Sequence, residues 1–142
     1  MKNPFCCEIV GGKGAWALLA LRLVAGPAFI LHGWPKFQHA FSWMGTALPS
    51  WLQALAAFAE FAGGMAILAG LLTQLAASGI ACVMLVAMFM VHIPKGDPFV
   101  GSQAHPESWE IAAVYLAIMV VLMLRGAGAV SLDALVFGKK RA

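Results

Sequence analysis

The sequence predicts an all-α membrane protein, a four-helix bundle of four transmembrane helices with both termini cytoplasmic. Three observations carry this expectation. Hydrophobic residues make up 62% of the 142-residue chain and charged residues only 11%, about half the charged share of a soluble domain. The apolar residues gather into four runs, each near the ~20 residues a helix needs to cross a bilayer. None of these runs alternates with the two-residue period of a barrel strand.

The first span is expected at Trp16–Trp34, after a polar, glycine-bearing cytoplasmic tail over 1–15. Arg22 in its interior, Pro27 at its centre and the lack of a small-residue cleavage site before HGWPKF distinguish it from a signal peptide. Pro27 should kink it. The second span, Trp51–Leu71, carries small residues four apart, Ala59/Gly63 and Ala62/Ala66/Gly70, a spacing that lets membrane helices approach closely. A very short connection at Gly70, Thr73 and Gln74 makes the third span, Gln74–Ile93, its antiparallel neighbour. The fourth is expected at Trp109–Leu124. These spans form one domain over 16–126, followed by a second cytoplasmic tail over 127–142. Pro35, Pro49, Pro94, Pro98 and Pro106 read as span ends or loops, and the five tryptophans as interfacial anchors.

Orientation follows from the basic residues. Lys2, Lys13, Arg125, Lys139, Lys140 and Arg141 fall on the side of the termini, against Lys36 and Lys95 on the other. The positive-inside rule therefore puts the termini in the cytoplasm and the loops 35–50 and 94–108 outside. The terminal KKR reads as a topology anchor more than a lipid-binding patch. The absence of C-x-x-C argues against a dithiol redox pair. Cys82 reads as a packing residue. Cys6 and Cys7, beside a span, suit palmitoylation but read as inert.

Glu60 is the most informative residue, since no other charged side chain occurs between positions 40 and 80. A carboxylate facing lipid costs several kcal/mol, so Glu60 must face protein or a water-filled cavity. Counting ~1.5 Å per residue from the span ends puts Glu60 about 13 Å and Arg22 about 18 Å deep, which predicts an Arg22–Glu60 ion pair. In its plainest form such a pair only fixes helix register. Toward the outer side the chain adds His32, Lys36, His92 and Glu110, so every span contributes an ionisable group. Buried polar groups cost free energy unless partnered.

Three uses of such a cluster can be weighed. A quinone or similar amphipathic ligand would take hydrogen bonds from His or Arg, with a carboxylate handling protons. A metal could use His32, His92, Glu60 and Glu110, but no H-x-x-H or E-x-x-H spacing supports it. A proton or solute path would use Glu60 as relay, although four helices are few for a transporter.

The strings R-L-V-A-G-x-x-F-I-L-H-G-W-P-K-F at Arg22–Phe37, A-E-F-A-G-G-M-A-I-L-A-G-L-L-T at Ala59–Thr73, V-H-I-P at Val91–Pro94, W-E-I-A at Trp109–Ala112 and G-A-G-x-x-S-L-D at Gly126–Asp133 resemble the DoxX family in order and spacing. The resemblance implies a multi-pass protein of the bacterial or archaeal cytoplasmic membrane. It also implies kinship with a small membrane subunit of thiosulfate:quinone oxidoreductase, without a settled catalytic assignment. The expected function is a DoxX-like membrane component of a quinone-linked oxidoreductase system. Glu60, His32 and His92 are the candidate catalytic residues, and Arg22, His32, Lys36, Glu60, His92 and Glu110 the candidate ligand-binding set. Quinone is the expected cofactor, with no metal or haem set predicted. The bilayer and an oxidoreductase partner subunit or a second copy are the expected partners, and nucleic acid is not. The alternative is a non-catalytic structural or partner-docking subunit whose polar network only stabilises the bundle.

Overall fold

The computed structural model describes residues 9–138. The expectations for Cys6 and Cys7, and for the charges at Lys2, Lys139, Lys140 and Arg141, lie outside the described residues. All regular structure among the described residues is helical. Helix α1 spans Gly12–Gln38 and α2 spans Ser50–Ala69. Helix α3 runs over Thr73–Lys95, with Ala87–His92 in π-helical form. Helix α4 spans Glu110–Arg125, and the short α5 spans Leu132–Val136.

Helices α1, α2 and α3, with 27, 20 and 23 residues, are long and apolar enough to cross a membrane. The fourth predicted run forms a helix of 16 residues, about 24 Å at the helical rise and short of a ~30 Å hydrocarbon core. Helix α1 starts before Trp16 and continues past Trp34, so Pro35 lies inside the helix instead of ending it.

Helix α1 packs on α2, α2 on α3, and α3 on α4, which in turn touches α1. Glycines set the closest approach. A Cβ at Gly33 would fall 2.5 Å from the backbone nitrogen of Phe61, and one at Gly64 would fall 2.8 Å from that of Ile30. Backbone cannot move aside, so only glycine fits at this crossing. Gly63 faces Ile80 of α3 instead. The small-residue stripe of α2 thus serves two neighbours, one on each side. Phe29, Ile67, Ile80, Met119 and Leu122 fill the core between them.

The end of the molecule that holds the α2–α3 turn is tied together by Arg22, which is 2% exposed. Its guanidinium donates to four carbonyls: Ile67 at 2.8 Å, Leu68 at 3.0 Å, Ala127 at 3.0 Å and Val130 at 2.7 Å. The first two belong to the last turn of α2, where helix carbonyls lack the usual i+4 donor and carry negative dipole. This corrects the predicted Arg22–Glu60 pair. Gly33 lies level with Phe61 and Gly26 with Leu68, which puts Arg22 beyond the C-terminus of α2 and about three helical turns from Glu60.

The segment after α4, expected as a cytoplasmic tail, packs against the same turn. The Asp133 carboxylate accepts from the backbone of Leu72 at 2.7 Å and of Thr73 at 3.0 Å. It therefore caps the first turn of α3 from sixty residues away in sequence, where helix N–H groups are otherwise unsatisfied. Leu72 is the one non-glycine with positive φ among the described residues, at 48°, and its bonded N–H holds it there. Asp133→Ala should therefore destabilise the protein by about 1–2 kcal/mol, read as a lowered unfolding midpoint in detergent. An unchanged midpoint would remove the capping role.

Candidate functional site

At the opposite end, the carboxylate of Glu60 and the ammonium of Lys36 meet. The Gly33 contact brings α1 against α2 at the level of residue 60, and Lys36 follows one turn later on the same face. Its four-carbon stem lets the ammonium reach back into the protein. Nζ donates to Oε1 at 2.6 Å and to Oε2 at 2.7 Å. Glu60 is 1% exposed, whereas the Lys36 side chain is 27% exposed. The pair therefore has one sealed partner and one that reaches the surface.

A tryptophan covers the cation. The Trp43 ring lies 4.7 Å from Lys36 Nζ, within cation–π range. Trp43 is thus more than the interfacial anchor expected from its position. Its indole N–H donates to the Gln53 carbonyl at 3.0 Å. The fully buried Gln53 side chain accepts from Met44 N at 2.8 Å and donates to the carbonyls of Gly45 at 2.9 Å and Leu48 at 2.7 Å. One buried amide thereby folds the 39–49 loop against the start of α2 and holds Trp43 over the ion pair.

The π-helical stretch ends at His92, and such widened turns are frequent at functional sites. Its Nδ1 lies 2.7 Å from Asp97 Oδ2. With the carboxylate accepting from Nδ1–H, Nε2 is left as the free ring position. On α1, Phe29 meets the Tyr115 ring of α4 edge-on at 4.9 Å.

These groups surround a chamber of about 250 Å³ lined by Phe29, His32, Lys36, Glu60, His92 and Tyr115, with Ser108 and parts of α3 and α4. A second cavity of about 320 Å³ lies between α2, α3 and the 39–49 loop. Apart from Lys36 and Glu60, which border both, it is lined almost wholly by carbon. Of the predicted site residues, His32, Lys36, Glu60 and His92 come together. Arg22 belongs to the α2–α3 turn, and Glu110 opens α4 without lining either cavity. Trp43, Gln53, Asp97 and Tyr115 were not among the predicted residues. Asp97 had a signal, a carboxylate five residues after a histidine, and Tyr115 is the only tyrosine. The role of Gln53 depends on backbone groups and has no signature.

Comparison with known proteins bears on this arrangement. The family model DoxX matches residues 17–93, a range that holds Arg22, His32, Lys36, Glu60 and His92. An uncharacterized protein of Haemophilus influenzae is 32% identical over 126 residues, covering 86% of this chain and 92% of that protein. A Bacillus subtilis protein named "Putative oxidoreductase CatD" is 31% identical over 127 residues, covering 86% of this chain and 89% of its own. No solved structure matches the chain.

Proposed function

Since this chain is a multi-pass membrane protein belonging to the DoxX family, we propose that it is the membrane component of an oxidoreductase system whose polar chamber binds the head of a quinone. The single observation that carries this reading is the convergence of His32, Lys36, Glu60 and His92 on one chamber walled by Phe29 and Tyr115. Hydrogen-bond donors, a proton-accepting pair and aromatic faces are what a flat ring with two carbonyl oxygens requires. The name of the Bacillus subtilis relative supports an oxidoreductase setting. The basic termini support four crossings of a bacterial or archaeal cytoplasmic membrane with both ends inside.

A bound quinone supplies two-electron, two-proton chemistry, with electrons delivered by a partner subunit. The chain's own residues position the ring and manage protons. Lys36 holds both Glu60 oxygens and, with Trp43 over it, presents its remaining N–H to a ring oxygen. His32 donates to a carbonyl oxygen. Asp97 fixes the tautomer of His92, so that Nε2 can hold or release a proton, and Glu60 is the second proton-holding group.

Glu60→Gln and His32→Ala should each weaken quinone binding about tenfold or more, the worth of a hydrogen bond to a charged or desolvated group. Titration of purified protein in lipid nanodiscs reads this directly. Full binding and full quinone-coupled turnover in both variants would sink the proposal. The structural alternative draws support from the Arg22 and Asp133 network, at the end remote from the chamber.

A further inference from the structure

We infer that the carbon-lined cavity between α2 and α3 is a binding site for the hydrocarbon tail of the ligand whose ring occupies the polar chamber, so that the substrate is a membrane-resident, long-tailed quinone. The inference rests on the quinone reading above and adds the class of quinone.

The cavity follows from side-chain size. Ala56 and Ala59 on α2 face Gly79 and Cys82 on α3, and four small residues in one layer leave about 320 Å³ unfilled. A dry void of that size forfeits the dispersion contacts its walls would otherwise make. Leu55 is 57% exposed and Cys82 is also exposed at its border. The cavity therefore opens sideways between helices that are long and apolar enough to span a membrane, where its surroundings are acyl chains.

A phospholipid tail could enter from there, but its headgroup would find no receptor. The charged groups bordering the cavity are Lys36 and Glu60, and these already bind each other at 2.6 Å. A phosphate needs an unpaired cation, and the charge of Lys36 is already balanced by Glu60. The neutral ring of a quinone needs only the polar chamber, which meets the carbon-lined cavity at Lys36, Glu60 and Ala87. One molecule with its ring on one side of the ion pair and its chain on the other satisfies both volumes.

The test compares a decyl-substituted benzoquinone with the same ring carrying a methyl group, in nanodiscs of quinone-free lipid. Affinities are compared at equal concentration within the bilayer, where the chain gains the dispersion contacts of the cavity wall and not its escape from water, so the decyl compound should bind more tightly by about threefold or more. Gly79→Leu should reduce that preference to near unity. A Cβ at Gly79 would meet only the Ala59 Cβ, at 3.8 Å, so the variant fills the cavity without colliding with backbone. A second readout uses Cys82 as the sole thiol after Cys6→Ser and Cys7→Ser. The decyl compound should slow its alkylation by N-ethylmaleimide, and the methyl compound should not. Equal affinity for the two compounds, or a preference untouched by Gly79→Leu together with unprotected Cys82, overturns the tail site and leaves the quinone reading standing. Failure of both compounds to bind overturns both.

Discussion

Replacing Lys36 with methionine should remove about 3–5 kcal/mol of folding stability, the cost of leaving a buried charge without its partner. Glu60 is sealed from solvent, and among the described residues both its oxygens accept from Lys36 alone. Without the ammonium it must take up a proton or drag water inward. Glu60→Met should cost less, because the Lys36 side chain is 27% exposed and can swing its head outward while leaving its stem on apolar surface. The double variant, Lys36→Met with Glu60→Met, should recover most of the loss, since an apolar pair often replaces a buried ion pair at little cost. It should nevertheless bind no quinone. Thermal or denaturant unfolding in mild detergent gives the order, and ligand titration separates stability from function. Equal stability of the Lys36→Met and Glu60→Met proteins would show that burial of the two partners does not differ as described.

The second large effect lies at the other end of the molecule. Arg22→Lys keeps the charge but replaces a planar fork of five donors by three on a single nitrogen. An ammonium cannot span carbonyls on both α2 and the 127–130 segment at once. At least one or two buried acceptors lose their donor, at about 1–3 kcal/mol each, so a loss of about 2–4 kcal/mol is expected. Arg22→Met should reach about 4–5 kcal/mol, the upper end for a single substitution. The protein that remains folded should bind quinone as the parent does, because Arg22 lines neither cavity. A stable Arg22→Lys protein with impaired quinone binding would restore the arginine to the ligand site and refute the structural role assigned to it.

These two residues mark where the sequence was readable and where it was not. The helical class, the buried position of Glu60, the tight α2–α3 turn and the clustering of His32, Lys36 and His92 all follow from hydropathy and from the cost of polar groups in an apolar run. The partner of Glu60 did not. Trp34 marks the end of the first span by hydropathy, yet α1 continues to Gln38, and that extra turn lowers Arg22 past the end of α2 and brings Lys36 within reach. Arg22 also seemed to require a carboxylate, whereas helix-terminal carbonyls satisfy it. Backbone acceptors look the same in every sequence, so no residue pattern announces them. The capping role of Asp133 and the loop-holding role of Gln53 were hidden for the same reason: each engages main chain that only the folded topology brings near.

The widened turn at Ala87–His92 acts as a phase shift along α3. One additional residue in a helical repeat rotates everything beyond it by about 100° relative to an unbroken α-helix. The stretch before it presents Ile80 to α2, and its own last residue, His92, borders the polar chamber. A single helix can therefore obey two packing directions, one toward its neighbours and one toward the chamber, with the mismatch absorbed in six residues. Shortening that stretch to a regular spiral would leave the first direction intact and turn the histidine away from the chamber.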